Sequence, residues 1–178
     1  HLVLAFIILS LVLWCFLICK KINFPKKKLN ILFPSIFIFL LFCQIIMGAF
    51  VSGMDAGKIY NSWPLMGTSY FPDDSSVLNI FNLSVFNNPS IMQFFHRNLA
   101  YLILIFYLII LFKIYSNKIF GYFKIVSVIG AFLFLQILLG ILTLLSGAQI
   151  FFSSVHQISS IFLISSSIYF LYLNTKIN

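Results

Sequence analysis

The chain has 178 residues, of which 62% are hydrophobic and only 8% are charged, and its mean hydropathy is +1.10. A soluble domain carries about 25% charged residues, so the composition excludes a water-soluble globular protein. The net charge of +8 could suggest a nucleic acid partner, but the lysines form short clusters between long apolar runs, as in membrane loops. The composition therefore predicts a polytopic membrane protein with no nucleic acid partner.

Five apolar segments have about the 20 residues that a helix needs to cross a bilayer. These predicted spans are residues 1–19, 31–52, 96–115, 123–145 and 150–173. The first span opens directly at His1, without a Met or a charged leader. We therefore expect an all-α membrane protein with five transmembrane helices, which is the later portion of a longer protein.

The lysines predict the orientation of the spans. Five lie in the loop 20–30 and three in the link 113–124, and with Lys176 they share one side if the spans alternate. All three acidic residues and two basic residues fall on the other side, in or beside a long loop at 53–95. The positive-inside rule places the N-terminus outside and the C-terminus in the cytoplasm or matrix. A loop as long as 53–95 is usually functional or disordered.

The pattern Gln-Ile-x-x-Gly occurs twice, beginning at Gln44 and at Gln136. Each copy lies late in a predicted span and is followed by an outer loop. The helix after that loop carries a histidine among its early residues, His96 after the first copy and His156 after the second. The repeat predicts that residues 31–173 form an antiparallel four-helix bundle of two similar hairpins.

The histidines are the candidate ligands, because ionisable residues inside membrane helices are costly and rare. His96 begins the third predicted span and His156 lies about two turns into the fifth, at matched depth. Two imidazoles so placed can bind a haem iron from both faces, although each could also simply form a hydrogen bond between helices. Zinc is disfavoured, since no Cys, Asp or Glu lies at that depth. Arg97 could pair with a haem propionate or lie as an interfacial arginine.

Several segments resemble the haem A synthases of the mitochondrial and proteobacterial type. The loop segment 53–66, GMDAGKIYNSWPLM, resembles the signature of their outer loop. The segment 93–101, QFFHRNLAY, is similar to the family's sixth-helix motif, and the segments 136–144 and 156–157 resemble its seventh and eighth helices. The resemblance covers essentially the whole chain.

Members of this family have eight spans in two pseudo-symmetric halves, and the resemblance implies a role for each histidine. His96 and His156, with Arg97 beside them, would hold a haem b in the C-terminal half, and His1 would bind the iron of the substrate haem. The implied divisions are the last helix of the substrate-binding half at 1–19, an inner basic loop at 20–30, and the haem b half at 31–178. The family oxidises a methyl group of haem O to a formyl group, giving haem A for cytochrome oxidase.

The resemblance also implies an inner-membrane location and a set of partners. These are haem O as substrate, membrane lipid, haem O synthase, oxidase assembly factors and a redox partner. The acidic residue that the family is thought to use in catalysis lies in the earlier spans, so no catalytic residue is expected in this portion, which should carry electrons but be inactive alone. The alternatives are a bis-histidine b-type electron-transfer cytochrome without a catalytic role, and a transporter or assembly scaffold without haem.

Overall fold

The structure is a computed structural model that describes residues 1–77, 80 and 83–175. Within this range every regular element is helical. The five α-helices are α1 (Leu2–Ile18), α2 (Leu32–Gly53), α3 (Pro89–Ser116), α4 (Phe123–Leu145) and α5 (Ile150–Asn174). Short 3-10 helices occupy Ala56–Lys58, Leu83–Asn87 and Phe120–Tyr122. The predicted all-α fold is confirmed.

Four of the five predicted spans correspond to helices that are long and apolar enough to cross a membrane. They are Leu32–Gly53, Pro89–Ser116, Phe120–Leu145 and Ile150–Asn174. The first helix, α1, is apolar but has only 17 residues. At 1.5 Å per residue it measures about 25 Å, which is at the short end of the range for a spanning helix. Its crossing of the membrane stays a prediction.

Helix α3 begins seven residues earlier than predicted, at Pro89 rather than His96. The reason is a capping signal that hydropathy does not detect. The side chain of Asn88 accepts a hydrogen bond from the N–H of Ile91 at 3.2 Å, and Pro89 occupies the first helical position, where its missing N–H costs nothing. His96 therefore lies about two turns inside its helix, as His156 does in α5, and not at the helix start.

The helices differ in how closely they pack. Helix α2 packs along α3, and α4 along α5, while α5 also contacts α1 and α2. Contacts between α3 and α4 are fewer. Among the residues that the structure describes, α3 and α5, the two helices that carry the central histidines, do not pack along each other.

One end of the helices, which we call the lysine end, consists of the connections 19–31 and 117–122 with the C-terminus of α5. There Lys27 Nζ donates a hydrogen bond to the carbonyl oxygen of Asn117 at 2.5 Å, and Lys28 Nζ donates to that of Thr175. Both acceptors lie at the C-terminal ends of helices, where carbonyl groups lack partners in the helix and the helix dipole favours a cation. The loop 20–30 is thereby fastened across the ends of α3 and α5.

The opposite end, which we call the histidine end, consists of the loop 54–88 and the turn 146–149. The main hydrophobic core lies towards the lysine end, and its fully buried members include Phe37, Ile110, Tyr122, Val126, Ile164 and Phe170. Among the described residues, a separate cluster at the histidine end has three buried members, Val85, Ile91 and Met92. In the described part of the chain, the larger hydrophobic cluster therefore lies away from the end that carries the two central histidines.

Candidate functional site

The first histidine, His96, is held by two residues of α2. The side chain Nε2 of Gln44 donates a hydrogen bond to the carbonyl oxygen of His96 at 3.1 Å and lies 3.3 Å from the ring Nε2. A methyl group added at Gly48 would come within 3.2 Å of the ring atom Cε1. The absence of a side chain at Gly48 thus gives the imidazole its room.

The second histidine, His156, is likewise held by a glutamine and lies against a glycine, both supplied by α4. The side chain Nε2 of Gln136 donates to the carbonyl oxygen of His156 at 3.0 Å and to the hydroxyl of Ser159. A methyl group added at Gly140 would come within 3.3 Å of Cε1 of His156. The structure therefore brings together the glutamine, glycine and histidine that the sequence repeat associates, in both copies.

The helices that carry the two imidazoles, α3 and α5, are not among the closely packed helix pairs of the described part of the chain. The Nδ1 atom of each ring is buried and has no hydrogen-bond partner there. Imidazole nitrogens are common ligands of haem iron, so His96 and His156, each with a buried nitrogen that has no partner among the described residues, are the residues that would hold such a group. A zinc site differs, because the protein supplies three or four of its ligands.

Arg97 holds the loop at the histidine end. Its two terminal nitrogens donate hydrogen bonds to the carbonyl oxygens of Leu65, at 3.3 Å, and Tyr60, at 3.1 Å. The side chain of Gln93 donates to the same Tyr60 carbonyl at 3.1 Å. The Nε of Arg97 is buried and has no partner among the described residues. The sequence predicted that Arg97 pairs with a haem propionate or lies at the membrane interface. It did not predict that Arg97 anchors the loop.

The same loop reaches across to the other pair of helices. The side chain of Asn61 donates a hydrogen bond to the carbonyl oxygen of Leu144, the second-last residue before the α4–α5 turn, at 3.0 Å. A methyl group added at Gly57 would come within 3.3 Å of the Ala148 side chain in that turn. Sequence reasoning predicted a functional loop but could not find these contacts, because they join residues about 90 positions apart. The segment 57–65 thus spans the histidine end.

Two carboxylates stabilise the loop rather than the site between the histidines. Asp73 accepts hydrogen bonds from the N–H of Thr68 at 2.7 Å and from the hydroxyl of Ser69 at 3.0 Å, and these bonds lower the pKa of Asp73. Burial raises the pKa of Asp74, but hydrogen bonds, led by that from the Ser90 hydroxyl at 2.6 Å, outweigh it and lower the pKa below its usual value. Both groups are therefore ionised at neutral pH and committed to the loop.

Residues 1–168 match the model of the cytochrome oxidase assembly protein family, COX15-CtaA. The chain belongs to this family. It is similar to three proteins named "Heme A synthase". The relative from Pelagibacter ubique is 46% identical over 176 residues, which are 99% of this chain and 52% of the relative. Those from Wolbachia pipientis and Rickettsia prowazekii are 40% and 34% identical, over 96% and 98% of this chain.

The chain spans about half the length of the curated relatives it matches. No solved structure matches it. The family that the sequence motifs indicated is confirmed by the comparison.

The third histidine, His1, has a different setting from the other two. It is exposed at the N-terminal end of α1, where its side chain makes no capping hydrogen bond. The described residues contain no group of three or more His, Cys, Asp or Glu that could share a metal ion. The predicted role of His1 at a substrate haem therefore stays a prediction. A cavity of about 440 Å³ opens beside Asp74 and Ser90, and neither central histidine lines it.

Proposed function

We propose that this chain binds a haem b between His96 and His156 and forms the haem b portion of a haem A synthase, which converts haem O to haem A for cytochrome oxidase. The observation that carries the proposal is the matched pair of histidine settings. Each imidazole lies against a glycine, each histidine carbonyl accepts from a glutamine, and each ring keeps a buried nitrogen without a partner in the described part. The name "Heme A synthase" of the relatives supports the reaction.

We also propose that α2–α5 form an antiparallel four-helix bundle of two repeated hairpins, α2–α3 and α4–α5. Each proposed hairpin has its glutamine nine residues before the end of the first helix, and its histidine about two turns into the second. The domain division follows, with the haem b half at 31–178, including the loop 53–95, the basic loop at 20–30, and the substrate-binding half represented by 1–19 with His1.

The chemistry would be electron transfer. A haem held by His96 and His156 would supply reversible one-electron transfer. The protein's own contribution is to fix the imidazoles and limit access of water. Gln44 and Gln136 fix the backbone of the ligands, and Arg97 fastens the loop above them. The free Nε of Arg97 is the nitrogen that remains for a propionate carboxylate.

The proposed location is the inner membrane of a bacterium or mitochondrion, with the histidine end outside and the lysine end in the cytoplasm or matrix. The distribution of lysines supports this orientation. The proposed partners are haem O as substrate, membrane lipid, haem O synthase, oxidase assembly factors and a redox partner.

The haem site is tested by optical spectroscopy of the purified chain. We expect a low-spin b-type spectrum in the original chain, and its loss in His96→Gly and in His156→Gly. Adding free imidazole should restore it in each variant, which separates loss of a ligand from loss of the fold. His1→Ala is the matched control and should keep the spectrum. A full low-spin spectrum in both glycine variants without added imidazole would refute the ligand assignment.

The reaction is tested separately, with a chimera in which this chain replaces the matching half of the Pelagibacter ubique relative. We expect the chimera to accumulate haem A in a host that makes haem O, and the chimera carrying His96→Gly to make none. A chimera that binds haem b but yields no haem A would favour the electron-transfer cytochrome without a catalytic role.

A further inference from the structure

A groove of about 300 Å³ opens at the lysine end, between the last turn of α3 and the first turn of α4. It lies outside the region of the histidines. Its lining is apolar, and its principal members are Leu111, Phe112, Tyr115, Phe120, Phe123 and Val126. Val126 is fully buried and forms part of the floor, whereas Phe112, Tyr115 and Phe123 are exposed. The groove is therefore a cleft in the side of the protein with exposed aromatic rings along its edges.

The cleft follows from the way α3 and α4 are joined. These helices contact each other less than the pairs α2–α3 and α4–α5 do. The connection turns at Lys118 and then buries Ile119. Both helices are long and apolar enough to cross a membrane. A cleft between two such helices is suited to a hydrocarbon chain, because its lining side chains are apolar apart from the exposed hydroxyl of Tyr115.

Three lysines lie within two residues of side chains that line the cleft. Lys113 lies in the last turn of α3, Lys118 in the connection, and Lys124 in the first turn of α4, and all three are exposed. Lys27 adds a fourth positive charge, because its ammonium group contacts Asn117. Lysine side chains are long enough to bring their ammonium groups to the membrane interface.

No described acidic side chain neutralises these lysines. The three acids of the sequence all lie at the histidine end, and the ion pair found in the described residues is Lys58 with Asp55, also at that end. Lys118 has a left-handed backbone (φ 52°), a conformation that helix C-termini usually give to glycine. Positive charge without a described acidic partner, beside an apolar cleft, is complementary to a ligand that is anionic at one end and apolar at the other.

We infer that the cleft between α3 and α4 is a binding site for an anionic phospholipid. One acyl chain lies along the aromatic edges formed by Tyr115 and Phe123, and the phosphate group lies among Lys113, Lys118 and Lys124. A soluble anion would leave the apolar cleft unfilled, and a neutral lipid would leave the lysines without a counter-charge. The inference is independent of the haem site.

Native mass spectrometry of the full chain, freed of lipid in detergent, measures the site. Phosphatidylglycerol and phosphatidylcholine with identical acyl chains are added separately, and glycerol phosphate is added as a competitor without chains. We expect phosphatidylglycerol to bind roughly tenfold more tightly than phosphatidylcholine, since each lysine at a membrane surface contributes several-fold. Equal binding of the two lipids, or displacement of phosphatidylglycerol by an equal concentration of glycerol phosphate, would overturn the inference.

Two pairs of matched variants locate the site. Lys118→Gln with Lys124→Gln should remove the preference for phosphatidylglycerol, while Lys20→Gln with Lys21→Gln, which removes the same charge at the end of α1, should keep it. Phe123→Ala should weaken binding of both lipids several-fold. Phe134→Ala removes an equally exposed ring from α4 outside the cleft (63% against 57% exposed) and should have no effect. Equal losses within either pair would show diffuse attraction and contradict a defined site.

Discussion

The surroundings of His96 and His156 are alike in the glycine and glutamine that contact each histidine, and they differ in the residue that follows it. Beside each ring lies a glycine of the preceding helix, and the carbonyl group of each histidine accepts a hydrogen bond from a glutamine. Above His96, however, the next residue is Arg97, which holds the loop 54–88 through two backbone carbonyls. After His156 comes Gln157, which is exposed. The repeated glycine and glutamine would fix the two histidines as ligands. Arg97 and the loop it holds, which are not repeated, would control access to them.

A smaller difference lies in the glutamines themselves. The side-chain nitrogen of Gln136 has the hydroxyl of Ser159 as its second partner, whereas that of Gln44 has the His96 ring. The side-chain oxygen of Gln44 is buried without a partner among the described residues. A buried polar atom left unpaired is unfavourable. The side-chain oxygen of Gln44, beside His96, thus lacks a hydrogen-bond donor in the described part of the chain. No such unpaired glutamine oxygen is found beside His156 in that part.

The largest expected effect comes from filling the space beside either ring. Gly48→Leu and Gly140→Leu should each displace the imidazole, since even a methyl group would lie 3.2 or 3.3 Å from it, and overpacking typically costs about 1–3 kcal/mol. We expect both variants to lose the low-spin haem spectrum to the same extent. Gly53→Leu, in the same helix as Gly48 with nothing within 4 Å, should keep it. Loss in only one of the two variants would show that the settings are not equivalent.

An intermediate effect is expected from Arg97→Gln, which tests the difference between the two sides. Two loop carbonyls lose charged donors, which costs on the order of 1–3 kcal/mol before solvent replaces the bonds. Hydrogen exchange of amides 56–69 should therefore become about tenfold faster or more. Gln157→Ala changes the corresponding position after His156 and should leave this exchange unchanged. If the two variants behave alike, Arg97 does not anchor the loop.

The smallest expected effect is a pH dependence confined to the loop. Since hydrogen bonds lower the pKa of Asp73 and Asp74 in the folded chain, their contribution is complete above the unfolded pKa of about 3.9 and is lost as the pH falls through the lower folded values. Emission of Trp63, in a Trp14→Phe background, should report loosening of the loop only below about pH 4. Asp73→Asn should show the loosened signal at neutral pH.

Asp55→Asn serves as the control for this titration, because Asp55 pairs with Lys58 outside the Thr68–Asp73 turn. It should leave the Trp63 signal and its pH dependence unchanged. Loosening of the original chain that begins near pH 6 would contradict the assignment to these carboxylates.

The lengths of the apolar runs predicted which segments are helical, but they predicted the first residue of a helix less accurately. The predicted span 31–52 agrees with Leu32–Gly53 within a residue at each end, because lipid-compatible runs end where lysines or turn residues begin. The start of α3 was missed by seven residues, since Asn88 and Pro89 act through a cap and a fixed dihedral angle rather than through hydropathy. Gln44 and Gln136 were noticed as a repeat, but their bonds to the histidine backbones required the packed helices.

The sequence by itself determined the class of protein, the helices, the family and the residues of the repeat, because these depend on composition and on spacing along one chain. The tertiary structure decided which residues meet. It placed a glycine against each imidazole, turned Arg97 towards the loop carbonyls, and gathered the larger described hydrophobic cluster towards the lysine end. The physical reason is that these features depend on the relative placement of helices up to about 100 residues apart, and hydropathy and local motifs carry no information on that placement.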